Sequence, residues 1–180
     1  MRGFIDAKHE GEARAAFEAV PWVRHAVVHR VFPNRLLVKL QEHQAFAYWG
    51  ADSEAKLLTG DENLVRAGHA VRKLGPKFVV IKKGEHGAMF FSEHETYVMP
   101  AYPTPDVVDP TGAGDSFAGG MMGYLASQGN FEPKTLKEAL AYGTLVASFN
   151  VEDFSLERMK KIDRSDIDKR MQQYKQMLSF

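Results

Sequence analysis

An amphipathic helix that leads directly into an apolar strand constrains the fold of this chain most. Between residues 64 and 74 apolar side chains recur every three to four positions, which is the spacing of one helix face. Gly75–Pro76 predicts the end of that helix, and "KFVVIKKG" then predicts a strand of the fully buried kind. The segments "AMFF" and "TYVMP" predict two further strands. Helices followed by strands in this order predict an α/β fold.

The other helices and strands follow from the same spacings and from turn residues. A short helix over residues 11–20 precedes "HAVVHRVF" and "RLLVKL", which predict a β-hairpin around Pro33–Asn34. Further helices are predicted in four places: Ser53 to Leu58, Ser116 to Ser127, from Pro133, and from about Ser165. The sequence shows no internal repeat and no Gly/Ser linker.

Composition excludes several classes of protein. A chain of 180 residues is long enough for one domain with a sizeable core. Its formal net charge is zero, which argues against nucleic acid as a partner. It contains no cysteine, and its longest apolar runs, such as "FVVI", are too short to span a membrane. The first residues lack the apolar core of a secretory signal, so we expect a cytoplasmic protein.

The stretch "VVDPTGAGDSFAGG" places a small, flexible turn (Gly112, Ala113, Gly114) directly before Asp115, where a helix is predicted to begin. Backbone amides at the start of a helix favour bound anions, so the position of the Asp115 carboxylate among them has to be explained. The residues alone leave two interpretations open: Asp115 caps the helix, or it lies beside a bound phosphate and accepts a proton. The turn lacks the lysine of a P-loop and the third glycine of a Rossmann loop.

Two further features are candidates for the same site. In "KKGEHGAMFF", Gly84 and Gly87 separate two predicted strands, which is typical of a plain hairpin turn. The functional interpretation is a backbone shelf for a nucleotide, with Lys82 or Lys83 near its phosphates. In "ADSEAKLLTGDE", Glu54 lies in the first turn of a predicted helix, where it either stabilises the helix dipole or positions magnesium through water.

In this order along the chain, the motifs resemble the ribokinase-like (PfkB) family of carbohydrate kinases. The resemblance is specific at "VVDPTGAGDSFAGG", and "DSEAKLLTG", "VVIKKGEHGA" and "VASFNVEDFSLERM" support it, so that it covers roughly Asp52 to Lys160. It implies a ribokinase-like three-layer α/β fold, of which the chain carries the C-terminal part with an incomplete central sheet. It also implies ATP-dependent phosphorylation of a sugar or nucleoside hydroxyl, with Mg²⁺ on the nucleotide.

The resemblance further implies three sets of site residues. The catalytic set takes up the proton of the hydroxyl and stabilises the transferring phosphoryl group: Asp115 as base, with the amides of Gly112, Ala113 and Gly114 as an anion hole. The nucleotide set lies along ATP: Lys83, Gly84 and Gly87. The metal set consists of Glu54 for magnesium, with Asp109 and Thr111 for a monovalent cation.

Two departures from the family pattern bear on activity. Ala51 stands where members commonly have an asparagine, three residues before Glu54, so we expect impaired positioning of magnesium. Residues 1–51 do not resemble the family and stay unassigned, while 52–180 correspond to the C-terminal part of a kinase domain. The alternative is therefore a truncated remnant, weakly active or inactive, that binds nucleotide, self-associates or pairs with a complementing N-terminal half.

A weaker alternative comes from another enzyme class. The residues "GDSF" are similar to the nucleophile block of GDSL-type esterases, with Ser116 as the attacking group. That chemistry needs a histidine base, which in those esterases lies near the C-terminus, whereas all seven histidines of this chain precede Ser116. His25 and His29 also lack the accompanying H-E-x-x-H pattern of a metal site.

Overall fold

The chain forms two compact units, Met1–Ala45 and Phe46–Phe180. The computed structural model describes residues 7–20, 23–32, 35–42 and 47–179, apart from the side chains of residues 7, 8 and 49. The turn predicted at Pro33–Asn34 lies outside the described residues.

The first unit consists of one helix and a two-stranded sheet. Helix α1 (Ala7–Glu18) is followed by strands β1 (Val23–Val31) and β2 (Arg35–Glu42). The strands are antiparallel, and Val31 pairs with Arg35. The predicted hairpin is confirmed.

The second unit is built around a four-stranded sheet in the order β3-β4-β5-β6. Its strands are β3 (Ala47–Ala51), β4 (Phe78–Lys82), β5 (Ala88–Phe91) and β6 (Thr96–Met99). Its helices are α2 (Asp52–Thr59), α3 (Leu64–Lys73), α4 (Ala113–Gln128), α5 (Pro133–Asn150) and α6 (Arg164–Leu178). Strand β3 is parallel to β4, whereas the other neighbours are antiparallel.

Successive side chains of a strand point to opposite faces, so an apolar strand presents apolar side chains on both faces of the sheet. Helices cover both faces. On one face, Val80 packs with residues of α4, α5 and α6. On the other, Val79 and Ile81 pack with residues of α2 and α3. The fully buried strand predicted at "KFVVIKKG" and the α/β fold class are confirmed.

Local sequence accounts for two of the closest contacts in this core. A Cβ atom at Gly68 would overlap the ring of Phe91, so only glycine lets α3 approach β5 this closely. At Gly143 a Cβ would come within 2.7 Å of the Phe117 carbonyl oxygen, which fixes the close packing of α5 on α4. Glycine therefore sets the spacing between these elements.

Candidate active site

The glycine turn is the first turn of helix α4. The helix begins at Ala113, three residues before the predicted Ser116, and Gly112 is its N-cap with φ +80°. Asp115 lies within the first turn, so the interpretation of Asp115 as the helix cap is wrong. A residue with a side chain at position 112 would be strained in this left-handed conformation, which explains the glycine.

Some backbone amides of the turn are left without a protein acceptor. The Ser116 amide donates the first helical hydrogen bond, to the Gly112 carbonyl (2.8 Å), and the Ala113 amide donates to the Pro110 carbonyl (3.1 Å). Among the described residues, the amides of Gly112, Gly114 and Asp115 donate no hydrogen bond to a protein acceptor. The side chain of Asp115 is exposed and accepts no hydrogen bond within the described part of the chain. Such a turn presents donors to an anion.

The ammonium group of Lys82 lies against this turn. Lys82 ends strand β4, and a Cβ atom at Gly114 would lie 2.8 Å from its Nζ atom. A cation beside the positive end of a helix is unfavourable unless an anion binds between them. The sequence-based choice between the two lysines was Lys83, for which no described contact joins the side chain to the turn.

Gly84 and Gly87 form a tight hairpin between β4 and β5. Both have positive φ, +57° and +84°. The Lys83 amide donates to the Gly87 carbonyl (2.7 Å), and a Cβ at Gly87 would overlap the carbonyl oxygen of Met99. Turn geometry alone therefore accounts for these glycines, as the plain hairpin interpretation predicted.

Glu54 caps helix α2. Its Oε2 atom accepts a hydrogen bond from the Ala51 amide (2.6 Å). Ala51 is the sheet partner of Lys82, so Glu54 and Lys82 lie at the same end of the parallel pair β3–β4. Burial, and secondly the Glu54 carboxylate, raise the pKa of Tyr48.

Asp109 and Thr111 are brought together directly before the turn. The Thr111 amide donates to Asp109 Oδ1 (2.9 Å) and the Ser155 amide to Oδ2 (3.4 Å). Hydrogen bonds from the Thr111 hydroxyl and then from its amide hold the pKa of Asp109 below its usual range. In the part of the chain that the structure describes, no three His, Asp or Glu side chains converge into a metal site.

Asn150 joins the two ends of the turn and was not identified from the sequence. It is the last residue of α5 and is 0% exposed. Its Nδ2 donates to the Thr111 carbonyl (3.0 Å), and its Oδ1 accepts from the Ser116 hydroxyl (2.5 Å). The esterase alternative requires the Ser116 hydroxyl to donate its proton to a histidine base. In the structure this hydroxyl donates to the amide oxygen of Asn150.

None of the described helices has the length and apolarity to cross a membrane.

Comparison with known proteins separates two kinds of relative. Cytidine kinase of Thermococcus kodakarensis is 41% identical over 73 residues, 39% of this chain and 26% of that protein. 1-Phosphofructokinase of Escherichia coli is 30% identical over 134 residues, 74% of this chain and 36% of that protein. The cell division protein FtsQ of Bordetella pertussis is 60% identical over 38 residues, 21% of this chain and 14% of that protein.

Solved structures give the same family. Aminoimidazole riboside kinase from Salmonella enterica, complexed with aminoimidazole riboside and an ATP analog, has a TM-score of 0.61 at 25% identity, covering 69% of this chain and 41% of that one. A putative ribokinase II from E. coli, in complex with ATP and Mg²⁺, has a TM-score of 0.59 at 29% identity, covering 71% and 39%. This chain thus spans about two fifths of the length of these kinases.

The family model for pfkB family carbohydrate kinases matches residues 15–161, most of the chain. The match includes every site residue predicted above, and it also reaches back into the first unit. The chain belongs to the pfkB family of carbohydrate kinases.

Proposed function

We propose that the second unit carries the nucleotide-binding and phosphoryl-transfer part of an ATP-dependent kinase acting on a sugar or nucleoside hydroxyl. The observation that carries this proposal is the α4 turn, where backbone amides without a protein acceptor lie at a helix start and the Lys82 ammonium lies against Gly114. Together they supply the donors and the charge that a transferring phosphoryl group requires. Family membership, and relatives solved with an ATP analog or with ATP and Mg²⁺, support nucleotide phosphate as the anion.

In this proposal Asp115 is the general base. It takes up the proton of the acceptor hydroxyl while the hydroxyl oxygen bonds to the γ-phosphorus and the bond from that phosphorus to ADP breaks. An exposed carboxylate without a competing hydrogen bond has its oxygens available for that proton. The amides of Gly112 and Gly114 stabilise the charge on the phosphoryl oxygens. Ala113 contributes its amide only if its bond to the Pro110 carbonyl opens.

The remaining predicted residues take supporting roles. Gly84 and Gly87, with Lys83, lie along the nucleotide. Glu54, whose Oε2 is held by the Ala51 amide, offers its other oxygen to a water on Mg²⁺, which when bound neutralises phosphate charge. We place a monovalent cation at Asp109 and Thr111, where the lowered pKa of Asp109 keeps the carboxylate charged.

Binding of nucleotide is the first test of this function. Calorimetric titration of the purified chain with millimolar MgADP or MgATP is expected to release heat and raise the melting temperature. The Gly114→Pro variant removes an amide donor and is expected to bind more weakly. No heat and no thermal shift with the parent chain would overturn the proposal.

A second candidate function is that of a remnant that needs a complementing N-terminal half. It is favoured by strand β3, a terminal strand of the sheet, in a chain that covers about two fifths of its solved relatives. Terminal strands offer unpaired backbone groups to a further strand. Adding the N-terminal half of E. coli 1-phosphofructokinase is expected to raise solubility and sugar kinase turnover. Full turnover by this chain alone, as a monodisperse monomer, would contradict this candidate.

We infer further that the first unit derives from an FtsQ-like protein and not from a kinase. The kinase motifs occupy residues 52–160, and the residues after them are too few for a matching stretch of 38–40. The first unit has that length. The family match from residue 15 overlaps it, but the FtsQ identity of 58–60% exceeds the 30–41% of the kinases above and supports the assignment.

Deletion of residues 7–42 tests this origin. Because a foreign segment supplies nothing to the kinase site, the shortened chain is expected to bind MgADP as the parent does. If the shortened chain loses MgADP binding while its second unit still melts cooperatively, the first unit contributes to the kinase site and the inferred origin is wrong. The shared stretch is only 14–16% of the FtsQ proteins, so the inference concerns origin and not a role in cell division.

A further inference from the structure

Asn150 reaches the glycine turn from another helix. It lies 34 positions after Ser116 and 39 after Thr111, and its side chain is fully buried. Burying an amide is costly unless its donor and acceptor both find partners. Here both partners belong to the turn, which ties the end of α5 to the start of α4.

The two hydrogen bonds bracket the residues that the proposed function needs. The Thr111 carbonyl stands directly before Gly112, and the Ser116 hydroxyl stands directly after Asp115. A Cβ atom at Gly112 would lie 3.5 Å from Asn150 Oδ1, so the amide packs directly under the N-cap. The unengaged amides and the Asp115 carboxylate therefore lie on a span that is fixed at both ends.

We propose that Asn150 is a positioning residue that holds the turn in its anion-binding shape. This inference rests on the proposed function and goes beyond it by naming a residue outside the turn that sets the turn's geometry. Asparagine is suited to the position because one rigid planar group offers a donor to Thr111 and an acceptor to Ser116. An aspartate of the same shape would place a carboxylate oxygen against the Thr111 carbonyl, with no proton between them.

The experiment compares Asn150→Asp with Thr144→Val as a matched control. Thr144 lies on the same helix, is 6% exposed, and donates its hydroxyl within the helix, to the Leu140 carbonyl. Two NMR measurements are made on the full chain: hydrogen exchange of the Ala113 and Ser116 amides, and the shifts of the Gly112 and Gly114 amides on adding MgADP.

Asn150→Asp is expected to speed exchange of the two turn amides by about 10-fold or more and to abolish most of the MgADP shifts. Thr144→Val is expected to change neither, although it too alters a buried polar group of α5. Ser116→Ala, which removes one of the two bonds, should give part of the effect. Ser116→Thr, which keeps the hydroxyl, should restore the parent behaviour.

Other outcomes would contradict the positioning role of Asn150 or the proposed function. Exchange in Asn150→Asp equal to that in Thr144→Val would overturn the positioning role. If Asn150→Asp does not fold, equal exchange in Ser116→Ala and Ser116→Thr would overturn it instead. If the parent chain shows no MgADP shifts, the proposed function fails, while the exchange rates still decide whether Asn150 holds the turn.

Discussion

The two units of the chain differ in how far they bury their apolar side chains. In the second unit, helices on both faces of the sheet enclose two clusters, with Leu140 and Val71 each 1% exposed. In the described part of the first unit only Val23 and Ala26 are buried apolar residues, while Phe32 is 86% exposed. One helix and two strands offer too little surface to enclose a core. The second unit therefore encloses a core, whereas the described part of the first unit does not.

The largest expected effect separates the two units by stability. Leu140→Ala empties a site in the core of the second unit and should lower the free energy of unfolding by about 2–5 kcal/mol. Leu37→Ala in the first unit, where the side chain is 47% exposed, should stay within about 0.5 kcal/mol. Urea denaturation followed by tryptophan fluorescence measures both. Similar losses for the two variants would show that the first unit has a core of comparable weight.

The next effect concerns chemistry, which we assign to the second unit alone. Asp115→Asn removes the proposed base and should slow phosphoryl transfer by about 100-fold or more, with little change in nucleotide affinity. Asp106→Asn is the control, since Asp106 is likewise an exposed carboxylate of the second unit. ADP formation is followed with the complementing kinase half present. Equal rates for Asp115→Asn and the parent would remove Asp115 from the mechanism.

A smaller effect distinguishes two neighbouring lysines. The structure places the Lys82 ammonium beside Gly114, whereas sequence reasoning selected Lys83. Lys82→Met should therefore weaken MgADP binding by about 10-fold, the value of one charge-assisted hydrogen bond to phosphate. Lys83→Met should change it far less. The reverse order of affinities, measured by calorimetry, would favour the sequence-based choice.

Local signals predicted the elements, and non-local contacts completed the site. The spacing from Leu64 to Leu74 and the stop at Gly75–Pro76 were sufficient for α3, because both act within a few residues. The sequence predicts the start of α4 too late, since glycines at 112 and 114 favour a loop by propensity although the helix includes the second of them. The role of Asn150 could not be predicted from the sequence, because it depends on hydrogen-bond partners more than thirty residues away.

The smallest effect is a dependence of stability on pH at the base of the turn. Hydrogen bonds from Thr111 and Ser155 lower the pKa of Asp109 in the folded chain. A lowered folded pKa means that Asp109 stabilises the fold above its unfolded pKa of about 3.9, and that this contribution is lost as pH falls through the folded value. Asp109→Asn should thus lower the melting temperature slightly at pH 6, and the difference from the parent should shrink towards pH 3.

Asp106→Asn serves again as the control, because its exposed carboxylate accepts no described hydrogen bond. Its melting temperature should follow the parent at every pH. The expected difference is small, since Asp109 is only partly buried and water screens its charge. Because Asp109 precedes the α4 turn, the same variant also shows whether the second unit depends on this carboxylate for its fold. A difference for Asp109→Asn that stays constant from pH 6 to pH 3 would mean that its ionised form does not stabilise the turn.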